Sequence, residues 1–355
     1  MNSEYRSAVN KFLLLSVLSL IVFIIGYSDI TVEIIYSGGL YQLSSVIQRF
    51  LTGSIPFATG DFLYLLLILY IIRSLFLFYR KAARKQLKQS DRIKIPLQCV
   101  NFLFILYLLF KILWGLNYSR PTVSTQLGIS NERYTTPELV LLGRFYIRKL
   151  NALQNVSRTR YSITELRRIA KAGYDQMEKK HPFFRYANPS VKPVLNGWII
   201  TKIGIEGYYN PLSGEANVNM RLPATELPFV TCHEIAHQLG VGREDEANLI
   251  GYLVASNSPN KDFQYSAAYA MLKSILFEIR IKSSDDYDLL YNTINTRTIQ
   301  DFKRDRDFWR KYNNQMFGYL DIAFDRFLKL NNQSRGTDSY QDIVLWLYNI
   351  HKKDL

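Results

Sequence analysis

The sequence is short of the residues that build disulfide or thiolate-metal frameworks. Its 355 residues include only two cysteines, Cys99 and Cys232, and only four histidines. Two distant cysteines provide neither a disulfide scaffold nor a Cys-x-x-Cys clip. Cys99 lies in an apolar run and Cys232 abuts His233, which argues against their pairing. A chain this long buries enough surface to fold without such staples. There is no internal repeat and no low-complexity tract. The net charge of +14 comes without a recognition helix or an RNA-binding aromatic signature, and much of the basic excess flanks apolar segments. That pattern fits membrane-flanking charge and excludes nucleic acid as the expected partner.

Long apolar runs are present, all in the first third. FLLLSVLSLIVFIIGY starts at Phe12, FLYLLLILYIIRSLFLFY at Phe62 and CVNFLFILYLLFKILWGL at Cys99. Each approaches the roughly 20 residues that cross a hydrocarbon core. No small-residue cleavage site follows the first run, so it reads as an uncleaved span rather than a signal peptide. Arg73 and Lys111 sit near run ends, where long side chains reach the headgroups, and Trp114 reads as an interfacial anchor. The expected spans are about 12–28, 62–79 and 99–116, within a membrane part of residues 1–117. The stretch 80–94 holds seven basic residues and one acid, whereas the loop between the first two spans has Arg49 as its only base. The positive-inside rule then puts the N-terminus and the 80–94 loop in the cytoplasm. Residues 118–355 would form an extracytoplasmic domain.

That domain reads as mostly helix with a small sheet. A Thr cap with a following proline opens TPELVLLGRF from Thr136, and Ser162 with Glu165 suggests a second capped helix. VLNGWIITKIGI has strand-like composition, and GYYNPLSGEANVNM looks like a turn into a second strand. Helical periodicity resumes at Thr225, a natural cap, with Pro228 tolerated in the first turn.

This last helix carries HEIAH, residues 233–237. Positions four apart share a helix face, so His233 and His237 can reach one tetrahedral zinc. Glu234 stands beside that face, in reach of a water but outside the ligand set. Ile235 can bury opposite, and Ala236 permits close packing. Gly240 and Gly242 end the helix. A pair of satisfied core histidines stays open as the plain alternative. Beyond the glycines, REDEANLIGYLVA starts another helix, on which Glu244 and Asn248 share a face while Glu246 points elsewhere.

The two motifs together resemble the gluzincins, zincin metallopeptidases whose second motif is a glutamate followed by a small residue and Asp or Asn. The resemblance makes Glu244 the third zinc ligand, with Glu246 as the alternative, Ala247 the small residue and Asn248 the group that supports a histidine. The seven-residue step from His237 to Glu244 is shorter than in many gluzincins. With the three spans, GYYNPLSGEANVN, PFVTCHEIAHQLG and EDEAN also resemble a bacterial inner-membrane family of unknown function. The implied protein is a multi-pass protein of the bacterial cytoplasmic membrane, with three transmembrane helices and an α+β zincin-like domain in the periplasm. It would bind one Zn2+ and hydrolyse a protein or peptide substrate, with Glu234 as general base. Tyr208, Tyr209, Tyr252 and Tyr340 are the candidates for an oxyanion donor in a chain whose 25 tyrosines are mainly structural, and Tyr340, which opens the last helix after a glycine break, is the one set beside Glu234 as catalytic. By resemblance, Glu215, Ala216, Asn217, Val218, Asn219 and Met220 would be the edge strand that pairs with an extended substrate. His181 and His351 are expected at the surface. A non-catalytic zincin-fold scaffold of the envelope and a hydrolase of cell-wall amides are the competing readings, and oligomeric state is open.

Overall fold

The computed structural model describes residues 3–312, 326, 331 and 342–355. The chain opens with α1 (Ser3–Ile25). It then passes through α2 (Asp29–Thr31), a π-helical stretch Val32–Leu40 and α3 (Tyr41–Gly53), and forms α4 (Thr59–Ala83) and α5 (Asp91–Leu113). Residues Arg6–Ile25 of α1, with α4 and α5, are long and apolar enough to cross a membrane. Leu13, Ile24, Leu66, Phe76, Leu103 and Ile112 on these helices are each more than half exposed. The helices start some residues before the apolar runs that marked them, because polar first turns belong to the same helices.

The first and third long helices run parallel. Asn101 Nδ2 on α5 donates to Ala8 O on α1 at 3.2 Å, Phe12 packs on Phe104, and Leu116 lies against Gly26. Between them α4 returns in the opposite direction, with Asp61 at the domain end and Lys81 paired with Asp91 at the other, 2.7 Å apart. The basic 84–90 connection is therefore at the end remote from the domain.

Beyond α5, a 3₁₀ turn (Gly115–Ser119) leads through α6 (Val123–Gln126), α7 (Thr136–Ala152) and α8 (Ile163–Glu178) into the sheet region. There β1 (Val191–Pro193), α9 (Gly197–Lys202), β2 (Gly207–Asn210) and β3 (Glu215–Val218) precede α10 (Leu227–Gln238) and α11 (Glu244–Ser256). The described chain continues with α12 (Lys261–Lys282), α13 (Ser284–Tyr291), α14 (Thr296–Tyr312) and α15 (Asp342–His351). It is mainly helical, with one mixed three-stranded sheet.

Local rules explain most of these boundaries. Thr135 and Glu138 close a reciprocal capping box at α7, so the cap is one residue earlier than the expected Thr136; Ser162 and Glu165 do the same at α8. Thr225 is not the cap of α10: the helix begins after Glu226, with no side-chain cap, although Pro228 does sit in its first turn. VLNGWIITKIGI is not a strand either. Asn196 Oδ1 accepts the Ile199 N–H at 3.1 Å and nucleates the short helix α9, overriding the β-branched composition.

The sheet corrects the substrate-strand expectation. Its order is β1-β3-β2, with β3 parallel to β1 and antiparallel to β2. β3 covers Glu215–Val218, the heart of the 215–220 segment, and both its edges are already paired. A central strand has no free N–H and C=O row to offer a peptide. Any strand addition here would have to use β1 or β2.

The core gathers around α10, which is buried on nearly every side: Cys232, Ile235, Ala236 and Gln238 are fully enclosed. It packs against α11, α12, α8 and the sheet. A helix buried all round has no solvent face, so its polar side chains need partners inside the protein.

Candidate metal centre

At one end of α10 the polar groups converge. His233 and His237, one turn apart, bring their Nε2 atoms to 3.2 Å from each other. Glu244, the first residue of α11, places Oε2 3.2 Å from His233 Nε2 and 3.7 Å from His237 Nε2. The chain reverses sharply between them, through Gly240 at φ +81°, a conformation that disfavours any side chain. A Cβ there would also press on Asn117 Oδ1 and Tyr41, each 2.9 Å away. This tight turn is what carries Glu244 back after only seven residues.

Each imidazole is oriented from behind. His237 Nδ1 lies 2.7 Å from Val241 O. A carbonyl only accepts, so Nδ1 holds a proton and Nε2 is the nitrogen turned toward Glu244, the one that a metal would take in place of a proton. His233 Nδ1 lies 2.9 Å from Asn248 Oδ1, and the same tautomer follows if the amide oxygen accepts. Burial alone would lower the His237 pKa, yet the Glu244 carboxylate outweighs it and raises it to about 9. Burial opposes Glu244 ionisation too, but the two imidazoles hold its carboxyl well below the usual range.

Glu234 is 4 % exposed, and its Oε2 has no hydrogen-bond partner among the described residues. Burial pushes its pKa up to about 7, with Glu244 and Glu206 adding to the rise against the pull of His233 and His237. Its other oxygen rests against Gly207 of β2, where a Cβ would come within 2.5 Å of Oε1. Glycine is required for that approach.

Glu246 is elsewhere: its Oε1 accepts the Val123 N–H at 3.1 Å and pairs with Arg243 at 3.2 Å. Of the three candidate tyrosines with described hydroxyls, Tyr208 donates to Asp61 Oδ1, the Tyr209 hydroxyl lies 3.3 Å from that of Tyr41, and Tyr252 meets His351 Nε2. All three are engaged outside the His–His–Glu group. Tyr340 lies outside the described residues. His181 is partly buried, its Nδ1 accepting the Phe183 N–H; His351 is not a surface residue but is packed on Phe145, Tyr146 and Tyr252, its side chain 13 % exposed.

The residues that support the site came from segments with no motif. Tyr41 donates its hydroxyl toward His237 O and Gln238 O, both at 3.2 Å, and Arg49 Nη1 donates to Gln238 O at 2.9 Å. Arg120 donates to Leu239 O and Gly240 O at 3.1 and 3.0 Å while paired with Glu33. These donors take the carbonyls that a helix C-terminus leaves unsatisfied. Trp114 also corrects its expectation: it is 6 % exposed and packs edge-on to His237 at 5.9 Å between ring centres, rather than anchoring at an interface. The one sequence signal was Arg49, a lone base in a loop otherwise without one.

A protein-family model covers residues 36–348, which includes both the supporting segment and the His–His–Glu group. The chain belongs to that family, described as "Protein of unknown function (DUF3810)". No curated protein and no solved structure matches it. For this DUF3810 member, then, function has to be argued from the site itself.

The three converging atoms suit a metal. With ligand bonds of 2.0–2.2 Å, the edge of a zinc tetrahedron is about 3.4 Å; the observed separations are 3.2, 3.2 and 3.7 Å. Among the described residues, His233, His237 and Glu244 are the group of His, Cys, Asp or Glu side chains that can hold an ion together. Two nitrogens and one carboxylate oxygen form a donor set that zinc accepts, with a fourth position left for water or substrate.

Proposed function

We propose that this chain is a membrane-anchored, zinc-dependent metallopeptidase. The observation that carries the reading is the trio of donor atoms at tetrahedral-edge separations, with a buried carboxylate beside it that is not part of the trio. Zinc bound there supplies Lewis acidity toward a carbonyl oxygen and makes a coordinated water more acidic. The chain's own residues supply the rest. Val241 O and Asn248 fix the tautomers and ring planes of the ligands. Glu234 accepts the proton of the attacking water and returns it to the leaving amine, and its burial beside the trio raises the basicity of its carboxylate. Gly207 leaves the space in which that carboxylate sits. Burying Glu234 with an unpartnered oxygen costs stability. A non-catalytic scaffold gains nothing from that cost, which favours the enzyme over the scaffold reading.

Location forms part of the proposal. The cluster of seven bases in residues 80–94, at the end remote from the site, supports a cytoplasmic loop and an extracytoplasmic site at a bacterial inner membrane. A reporter active only in the cytoplasm, fused after Leu355, should be silent, and activity there would refute the orientation.

The decisive experiment uses the full chain in detergent. Wild type and Glu234→Gln should each bind one zinc per chain, and Glu244→Ala should lose it. Hydrolysis of a casein substrate should fall by about 100-fold or more in Glu234→Gln, on the scale general-base catalysis contributes. A wild-type chain that takes up no zinc on dialysis against it would end the metal reading.

A further inference from the structure

Residues 29–53 run from α2 through the π-helical stretch into α3, and they are amphipathic the wrong way round for a helix in water. Tyr41, Ser45, Arg49 and Thr52, spaced three or four apart, are buried against the domain. On the opposite face Ile34, Leu40, Leu43, Ile47, Phe50 and Leu51 are 49–70 % exposed. The segment holds three charged residues: Asp29 at its start, Glu33 and Arg49. Glu33 is paired with Arg120, and Arg49 is 2 % exposed. From Ile34 to Gly53, therefore, no charge faces outward.

Unlike α1, α4 and α5, this segment does not leave the domain. It touches the domain along its length: Glu33 on Arg120, Tyr41 on His237 O, Arg49 on Gln238 O and Thr52 on Ser190. It also joins α1 directly at Ser28 and α4 across residues 54–58, so it cannot stand away from the head of the helical bundle. A second apolar patch lies at the same level. On and beside α9, Leu195, Trp198 and Ile199 are each about half exposed, and the Leu195 N–H is tied to Asp61 at the start of α4 at 3.0 Å. Lys202 Nζ sits 4.1 Å over the Trp198 ring. Trp beside Lys is the pairing enriched where hydrocarbon meets headgroups.

We propose that the outer face of residues 34–51 lies in the acyl-headgroup boundary of the bilayer crossed by the three long helices. The occupant of that face is lipid. An apolar face on a helix lying in the interface buries into this layer to a depth of about 5–10 Å. Because the inner face of the same helix holds the end of α10, His237 lies about one helix diameter, roughly 10 Å, from lipid. Resting on the peptidase reading, the substrate class follows: a polypeptide held at the membrane surface rather than one free in bulk solution.

The first arm of the test needs neither zinc nor hydrolysis. Single nitroxide labels at Leu43, Ile47 and Phe50, in a Cys99→Ala/Cys232→Ala full chain reconstituted into phosphatidylcholine–phosphatidylglycerol vesicles, are probed with oxygen and with a water-soluble nickel chelate. Labels at Leu66 on α4 and Leu289 on α13 set the lipid and water references. The three labels should relax with oxygen, as Leu66 does, and resist nickel. Nickel access like that of Leu289 would overturn the proposal. Protection from both reagents would overturn it too, by revealing a second copy or another protein on this face. The second arm compares a quenched fluorescent peptide with its N-palmitoylated form on the zinc-loaded chain in the same vesicles. The anchored form should be cut at least about tenfold faster through its local concentration. Equal rates would overturn the substrate class alone, whereas cleavage of neither form removes it together with the peptidase reading and leaves the first arm standing.

Discussion

At the residue scale, the site is decided by what stands behind each donor atom. His233 and His237 could lie on one helix face and still turn the wrong nitrogen outward. The Val241 carbonyl and the Asn248 amide oxygen prevent that. Orienting partners of this kind typically account for 10–100-fold in metal affinity. Asn248→Ala should therefore weaken zinc binding by about that factor, measured by competition with a chromophoric chelator. Glu246→Gln should leave it unchanged within experimental spread, because Glu246 serves Val123 and Arg243 rather than the histidines. A loss of zinc in Glu246→Gln equal to that in Glu244→Ala would reverse the ligand assignment. His351 offers a separate readout at this scale. Burial, with Lys149 nearby, lowers its pKa to about 4, so it is neutral when folded and protonated when unfolded between about pH 4 and its ordinary value. The unfolded state then binds more protons, and stability falls as pH drops through that window, by up to about 3 kcal/mol. The thermal midpoint should fall from pH 7 to pH 5 in wild type, and by less in His351→Gln; an equal fall in both would show that His351 does not carry it.

At the scale of elements, the glycine turn and α3 determine where α10 ends. Arg49 is the hub: its guanidinium reaches Gln238 O, Ala187 O and Ser45 Oγ. Truncating it removes a charged donor from the buried Gln238 O, which keeps only Tyr41, and leaves Ala187 O to solvent, at about 1.5–3 kcal/mol for a hydrogen bond to a charged group. Arg49→Ala should lower the thermal midpoint and zinc affinity together. Arg49→Lys should recover only part, since a point-like ammonium cannot span the same acceptors. Full recovery would mean that charge alone matters. Elements also explain what the sequence could and could not announce. The HEIAH face, the turn into β3 and the three apolar runs are local patterns, legible from spacing and turn chemistry. The central position of β3 is not local: it depends on β1, a three-residue strand from across α9, whose partner no periodicity reveals. The misread 194–205 stretch shows the same limit, because one Asn side chain on the Ile199 N–H outweighed a β-branched composition. Tyr41 and Arg120 were invisible as site residues because their role is to donate to carbonyls, and a backbone acceptor leaves no mark in sequence; Arg49 stood out only as a lone base in its loop.

At the scale of the whole molecule, dividing the chain at residue 117 separates parts that fold against each other. The described contacts cross that boundary repeatedly: Tyr41, Arg49 and Trp114 bond the last carbonyls of α10, and Thr59 and Gly60 N–H groups donate to the buried Glu215 carboxylate at 3.1 and 2.8 Å. Lys192 returns the exchange by donating to Thr52 O at 2.9 Å. A fragment spanning 117–355 would keep HEIAH and Glu244 in sequence but lose these donors. The carbonyls of His237 and Gln238 and the Glu215 carboxylate would then need water in a place built to be dry, a cost of several kcal/mol against a total stability of about 5–15 kcal/mol. The fragment is expected to be insoluble or to behave as an expanded monomer by size exclusion, and to bind zinc at least about tenfold more weakly than the full chain in detergent. Supplying residues 1–116 as a second chain in the same membrane should restore both properties. A soluble, cooperatively unfolding fragment with full zinc affinity would show instead that the domain stands alone, and that the donors from the membrane side add nothing to the site they surround.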